Sequence, residues 1–420
     1  MSGVTAGAPS TRPRTAVRGG TATRRAPFGL HASVLAALLA ASSAPTPLYP
    51  LYQDRWQLSA LTVTVVFSAY SLTLLVALLT VGSLSDHLGR RPVLAGALAL
   101  EAASVLLPAA ADGAGPLIAA RVLQGAATGA ATSAAGAALL DLEDPSHPGR
   151  STLANSIAPV AGMAAGVLLS TVLVRFAPAP TATVYVLLAA LVAAQAIAVA
   201  FTPETAHRRA GALRSLRPRL AAPPSARHAL LTAGSGIVAV WALGGLYSAL
   251  GPALVHLVAP GAPQAAGGLV FFTVSAAAAL TVWTLRRTAP LAATAGGALA
   301  VVPSAALSLL GLHGGGLLAV HGGAALAGVA FGAVSQGALR MTLDTLDEQD
   351  RASTLAAYYV LSYLSMSVPA VAAGAATVHV GLRTAAHVYA AAVALLAVTA
   401  VAALTASRRK ALRTADDRLR

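Results

Sequence analysis

Gly82-Ser83-Leu84-Ser85-Asp86-His87-Leu88-Gly89-Arg90-Arg91-Pro92 is a charged, glycine-punctuated turn wedged between long uncharged stretches. Residues 56–85 before it carry no Asp, Glu, Lys or Arg, and residues 92–111 after it carry only Glu101. Gly89 supplies a residue that tolerates positive φ, and Pro92 suits the first turn of a helix. Gly82 permits a neighbouring helix to come close. Asp86 and Arg90 stand four apart, the spacing of a pair on one helical face. One apolar helix must therefore end, and another begin, within a few residues.

The same alternation runs along the whole chain. Uncharged or nearly uncharged runs cover 26–53, 56–85, 92–111, 113–140, 151–174, 176–203, 228–285, 288–339, 352–382 and 384–407. A bilayer-spanning helix needs about 20 apolar residues. The two longest runs therefore hold two helices each, with breaks expected at Gly251-Pro252 and 259–268, and at Leu312-His313-Gly314-Gly315-Gly316. The expectation is an all-α polytopic membrane protein of twelve transmembrane helices in two six-helix bundles. Residues 1–27 form a basic tail, 28–203 the first bundle, 204–228 a linker, 229–406 the second bundle and 407–420 a second basic tail. The apolar stretch after the first tail is too long for the h-region of a cleaved signal, about 7–15 residues.

Composition agrees. The 420 residues are 56% hydrophobic and 10% charged, with mean hydropathy +0.72. Soluble chains carry roughly 25% charged residues. The net charge of +14 tracks topology and not one face, which disfavours a nucleic-acid partner. With both tails on one side, 24 of the 28 Lys and Arg fall on that side, Arg55, Arg175 and Arg383 on the other, and Arg121 within the membrane. By the positive-inside rule the tails are cytoplasmic, which predicts a multi-pass protein of the bacterial inner membrane. There is no Cys, so disulfides and thiolate metal sites are excluded.

A faint internal repeat supports two halves. Leu140-Asp141-Leu142-Glu143 before Arg150-Ser151-Thr152-Leu153-Ala154 is echoed by Leu343-Asp344-Thr345-Leu346 before Arg351-Ala352-Ser353-Thr354-Leu355-Ala356.

Two charges lie inside spans. In the fourth segment Arg121, Gln124, Thr128 and Thr132 share a helical face, beside the small-residue pair Gly125 and Gly129. Arg121 is either functional or snorkels to the surface. Glu101, deep in the third segment, is out of easy reach of water. A buried carboxylate resists ionisation, which suits reversible protonation. It is either a proton carrier or a structural group hydrogen-bonded to the second or fourth helix. The depths of Glu101 and Arg121 differ by roughly 10 Å on a core of about 30 Å, so direct pairing needs tilt or a water. Tyr359, Ser362, Tyr363 and Met366 share a face in the eleventh segment, with Trp241 and Tyr247 in the seventh and Gln336 in the tenth as further candidates for a cavity wall.

The 82–92 segment resembles the loop 2–3 signature of the major facilitator superfamily, G-x-L-[SA]-D-x-x-G-R-[RK], at every fixed position. Arg121-Val122-Leu123-Gln124-Gly125 resembles its R-x-x-Q-G signature. Ala158-Pro159 with Gly162-Met163 is a partial match to the antiporter signature G-P-x-x-G-G, with Pro159 and Gly162 at a helix kink. The pattern is most similar to the twelve-helix drug/proton antiporter branch. The resemblance implies that Gly82, Asp86, Gly89, Arg90 and Arg91 form a latch between the halves, and that Arg121 takes part in proton coupling or contacts the first helix. It further implies alternating access driven by the proton motive force, without a cofactor, in a monomer whose partners are a small-molecule substrate, protons and the lipid bilayer. The cavity helices of that fold, the first, seventh and tenth, carry no mid-membrane charge here, so a neutral or lipophilic-cationic solute is expected, and export is favoured. The alternatives are a metabolite or sugar importer of the same fold, and a non-transporting membrane sensor or membrane-embedded enzyme. No HExxH, paired Asp or Ser/His set supports an enzyme, and His31, His256, His313 and His321 are scattered.

Overall fold

Prolines and glycines cut the apolar chain into membrane-length helices. The computed structural model describes residues 21–206, 209–218, 223–343, 346 and 348–419. The spanning helices are α1 (Thr21–Ser43), α2 (Ala60–Thr80), α3 (Arg90–Leu106), α4 (Ala114–Asp141), α5 (Arg150–Phe176), α6 (Pro180–Ala200), α7 (Pro224–Val258), α8 (Gln264–Thr284), α9 (Pro290–Leu310) and α10 (Gly316–Leu343). A last helical stretch, Glu348–Leu419, breaks at Gly381 (φ 77°, ψ 160°) into α11 (348–380) and α12 (382–419). Short helices at Tyr49–Trp56, Ser85–Leu88 and Ala212–Ser215 lie in the connections. The two halves, α1–α6 and α7–α12, make the twelve-helix, two-bundle fold.

Length and hydropathy alone mark ten spans. One of them, Ser353–Ser407, is 55 residues, about 80 Å of helix at 1.5 Å per residue, far more than a hydrocarbon core of about 30 Å. It is two helices folded back at Gly381. Helix α4, with Arg121, Gln124, Thr128, Thr132 and Ser133, is too polar to be marked by hydropathy, although it is 28 residues long.

Some boundaries differ from the sequence expectation. The Leu312–Gly316 break is present, with His313 and Gly314 outside helical geometry. The Gly251-Pro252 break is not: α7 runs through Pro252 to Val258, and the chain turns at 259–263. Gly267 of α8 lets that helix sit on the Pro252 ring, where a Cβ would come within 2.9 Å of its Cα. Neighbour packing thus holds the helix across the hydrogen bond that proline removes. Helix α1 begins at Thr21, ahead of the expected tail boundary, and α12 continues to Leu419. Asp344 and Thr345 of the internal repeat, most of the first tail, and residues 207–208 and 219–222 of the linker lie outside the described residues.

Packing within the first half relies on missing side chains. Gly125 and Gly129 of α4 lie on α2; a Cβ on Gly129 would sit 2.7 Å from Ala77 Cβ. Gly162 and Gly166 of α5 press against the α1 backbone at Ala36 and Ala40. In lipid such close backbone contact replaces the hydrophobic drive between helices. Many hydroxyls return to a carbonyl three or four residues back, as at Ser71, Thr73 and Ser275, which satisfies them within their own helix.

The halves meet through α2 with α11 and α5 with α8. Ser71 Oγ lies 2.6 Å from Ser367 Oγ, and Ser68 Oγ donates to the Ser367 carbonyl at 3.4 Å. Thr64 and Leu61 touch Gly374, and Pro47 and Thr171 touch Gly268. Apart from the serine pair, these contacts lie toward the face opposite the basic loops, so the molecule is closed on that face.

Candidate functional site

A chain of buried polar side chains crosses the first half. Glu101 of α3 is 0% exposed and Arg121 of α4 is 2% exposed. Gln124 Nε2 donates to Glu101 Oε1 at 3.1 Å, and Thr128 Oγ1 donates to Glu101 Oε2 at 2.9 Å. Arg121 Nη1 donates to Gln124 Oε1 at 2.6 Å. Arg121 has only donors, so it fixes the amide with its oxygen toward the guanidinium and its NH2 toward the carboxylate. The carboxylate and guanidinium therefore do not pair directly. Gln124 spans the depth gap between them, where a tilt or a water was expected.

The far end of Arg121 reaches α1. Nη2 donates to the Ser42 carbonyl at 2.9 Å and to Tyr49 Oη at 3.3 Å. The guanidinium carbon lies 4.8 Å from the ring centre of Tyr70 on α2, a cation–π contact. Arg121 does not snorkel, since every contact faces the interior. The Ser42 carbonyl is available because α1 stops there. The final carbonyls of a helix lack intrahelical partners.

The turn 82–91 is locked to its own half. Arg90 holds Asp86 in an i,i+4 ion pair. It also donates through Nε to Asp141 Oδ2 at 3.2 Å and through Nη1 to Ser85 Oγ at 2.7 Å. Glu204, just past α6, accepts the backbone N–H of Arg90 at 2.7 Å and of Arg91 at 3.2 Å. A carboxylate on the free amides of a helix N-terminus is favourable. Gly89 (φ 103°) makes room for it, because a Cβ there would lie 2.5 Å from Glu204 Oε2. Ser133 Oγ of α4 donates to the Gly82 carbonyl at 3.0 Å, and the linker joins through Arg209 N to His87 O and Ser83 Oγ to Ser215 O. Among the described residues, the polar partners of this turn belong to the first half and the linker. No polar contact of this turn among the described residues reaches the second half, the contact that the resemblance implies for Gly82, Asp86, Gly89, Arg90 and Arg91. Glu143 caps α5 similarly, accepting from Gly149 N and Ser151 Oγ. Beside it, the Ser146 hydroxyl and amide hold the Asp144 carboxyl below the usual aspartate range.

Helix α5 carries Pro159 inside Arg150–Phe176, with Gly162 against α1. In the second half, Trp241 of α7 packs against Phe331 of α10 and Tyr363 of α11, each with ring centres 5.2 Å apart. Tyr359 stands 6.1 Å from Tyr363 and 5.8 Å from Tyr358, whose hydroxyl donates to the Ser335 carbonyl. Gln336 Oε1 and Ser335 Oγ are buried without a hydrogen-bond partner. Ser362 is wholly buried on α11. Tyr247 stands apart from this cluster, with its hydroxyl 2.5 Å from Ser308 of α9 in the core of the second bundle.

The sequence model described as Major Facilitator Superfamily matches residues 32–368. The chain belongs to the major facilitator superfamily. Its fold is similar to that of a point mutant of the nucleoside transporter NupG (13% identity, 90% of this chain and 99% of that one, TM-score 0.70). It is also similar to the human organic anion transporter MFSD10, or TETRAN (18%, 90% and 99%, 0.65), and to a bacterial homologue of the human lysosomal transporter Spinster in an inward-facing conformation (12%, 92% and 98%, 0.70). No curated protein sequence matches. At these identities the likeness is one of fold. As a facilitator-superfamily member the chain is a multi-pass membrane transporter, and transporters of this family bind small molecules.

Sequence reasoning did not find Ser42, Tyr49 and Tyr70 around Arg121, Glu204 and Asp141 around Arg90, or Phe331 beside Trp241. Only Ser42 had a readable signal, the Pro45 and Pro47 that end α1.

Proposed function

We propose that this transporter is a proton-coupled exporter of a small neutral or lipophilic-cationic solute, working by alternating access. The observation that carries the reading is the buried Glu101–Gln124–Arg121 chain, an acid held inside the membrane and tied to the α1 backbone. In this reading the basic loops and both tails are cytoplasmic, at the bacterial inner membrane. The bundles 28–203 and 229–406 rock about the 204–228 linker. The proton motive force supplies the energy, and neither cofactor, nucleic acid nor enzymatic step takes part. The monomer is the working unit.

The chemistry of the acid sets how it can take a proton. Oε1 faces the Gln124 NH2, a fixed donor, so a proton there puts donor against donor. Oε2 faces the Thr128 hydroxyl, which can rotate from donor to acceptor. The proton therefore goes on Oε2. Its arrival weakens the charge-assisted bond to Gln124, and Gln124 passes the change to Arg121 and so to the end of α1. The bias needed between the two states is a few kcal/mol, within reach of altering such bonds. The solute sits against Trp241, Phe331, Tyr359 and Tyr363, with Gln336 as a polar contact; aromatic faces suit flat apolar bodies and cations.

With the basic face cytoplasmic, the contacts at Thr64–Gly374 and Pro47–Gly268 close the outer side, as in an inward-facing carrier. The test is a panel of neutral and cationic aromatic solutes in proteoliposomes under an imposed pH gradient. Solute moving against the proton gradient supports the reading. Flux in the same direction as protons, or flux indifferent to the gradient, contradicts it.

A further inference from the structure

Two histidines at the face opposite the basic loops form an arrangement outside the proton and solute path proposed above. His313 lies in the turn between α9 and α10, and His387 in the first turns of α12. Their Nε2 atoms are 3.1 Å apart. His313 Nδ1 lies 2.8 Å from the Leu309 carbonyl, and His387 Nδ1 lies 2.6 Å from the Arg383 carbonyl. A carbonyl only accepts, so each Nδ1 must carry the hydrogen. That leaves a lone pair on each Nε2. Two lone pairs at this distance repel unless a cation lies between them.

The ring geometry says which cation. With metal–nitrogen bonds of about 2.05 Å, two rings aimed at one ion and separated by this Nε2 distance have centres about 4.8 Å apart, whereas rings aimed head-on, sharing a proton on the line between them, have centres about 5.4 Å apart. The observed separation is 4.7 Å, with the planes at 82°. That separation matches two lone pairs that converge on one ion beside the Nε2–Nε2 line. Anchoring of the second ring nitrogen to a backbone carbonyl is the outer-shell arrangement that metal-binding histidines use.

The site is accessible, and the elements that carry it are packed together. Leu309, Leu312, Leu382, Ala386 and Leu254, from the segments flanking the two histidines and from α7, form one apolar cluster. The break at His313 and Gly314 (φ 106°) presents the first ring, and the break at Gly381 returns α12 beside it. His313 is exposed and His387 half-buried, so water can complete the coordination. Arg383, exposed one turn before His387, is the charged side chain on these two elements nearest the rings along the chain, and it opposes a cation. No cluster of three or more metal-ligating side chains occurs among the described residues, so this is a two-ligand site.

We propose that His313 and His387 bind a borderline divalent transition metal, of the class of Zn2+ or Cu2+, which staples the α9–α10 turn to α12. Imidazole nitrogens suit these ions and not Mg2+ or Ca2+. The test uses the full chain, purified without a polyhistidine tag. Zn2+ is titrated against a chromophoric indicator, and Cu2+ is read by electron paramagnetic resonance. One equivalent of Zn2+ should bind, and Cu2+ should show two nitrogen ligands. Loss of an outer-shell partner costs about 10–100-fold in metal affinity, so His313→Ala or His387→Ala should each lose at least tenfold. His147→Ala and His228→Ala, in basic-face segments, should bind as the parent does. Zn2+ should raise the melting temperature of the parent and not that of the double variant. Equal binding by parent and double variant overturns the proposal. So does a parent that responds to acid through this pair and ignores both metals, which would mark a shared proton.

Discussion

Replacing Gln124 by Leu keeps the size of the side chain and removes the two bonds that make the polar chain continuous. In the protein these are Gln124 Nε2 to Glu101 Oε1 at 3.1 Å and Arg121 Nη1 to Gln124 Oε1 at 2.6 Å. Both involve a charged partner, where a lost bond costs about 1.5–3 kcal/mol in soluble proteins. Side-chain bonds measured in membrane proteins average about 0.6 kcal/mol, with a maximum near 1.7. The Arg121 side chain keeps Ser42 and Tyr49, and Glu101 keeps Thr128, so neither charge is stranded. The membrane values then decide, and Gln124→Leu should cost about 1–3 kcal/mol out of a typical stability of roughly 5–15 kcal/mol. The assay is equilibrium unfolding in mixed micelles, with Glu101→Gln as the second arm of a double-mutant cycle. With a neutral Gln at 101, the loss from Gln124→Leu should shrink by about 1 kcal/mol. A variant within about 0.3 kcal/mol of the parent, or the same loss in both backgrounds, refutes the assigned chain of bonds.

Further outcomes concern packing, capping and the face that is closed. Gly162→Ala would put a Cβ 2.6 Å from the Ala36 Cα, so it should cost about 1–3 kcal/mol by overpacking, seen as a lower melting temperature, while Gly96→Ala, in open space, should not. Glu204→Ala removes the cap from α3 and should cost about 0.5–2 kcal/mol, read by hydrogen exchange at the Arg90 and Arg91 amides. Asp144, held below the usual aspartate range by Ser146, contributes to its turn above about pH 4 and stops contributing as pH falls through its folded value. Protection of the Ser146 amide, which donates to Asp144 Oδ1, should therefore fade on acidification, and Asp144→Ala, which removes the acceptor, should lack that protection at all pH values. The chain has no native Cys, so a single Ser215→Cys should react with an impermeant thiol reagent from the cytoplasmic side alone.

Much of the fold was legible because lipid leaves few options. The charge-free runs became helices, one each or two in the two longest, and Gly314 marked its turn as expected. Helix α4 was found from charge spacing where hydropathy alone fails it. Pro252 misled because a proline breaks a helix only when nothing else holds the backbone, and Gly267 brings α8 onto it. On the polar side, the 3.6-residue period put Arg121, Gln124 and Thr128 on one face, but periodicity within one helix does not say which helix that face meets. Tyr49 and Tyr70 lie on other elements, so their place beside Arg121 depends on packing angles that no local pattern encodes. The same holds for Glu204, which caps α3 across 114 residues of sequence, and for His313, which read as scattered and which two chain breaks bring beside His387.

Glu101 is where the account stands or falls, and flux against pH measures it directly. In proteoliposomes with a substrate from the panel, the parent should show solute movement that rises with the imposed pH gradient. Glu101→Gln, with Thr128 and Gln124 still able to bond the amide, should fold normally and lose the proton-driven component. Full, gradient-dependent flux in a folded Glu101→Gln protein would contradict the account.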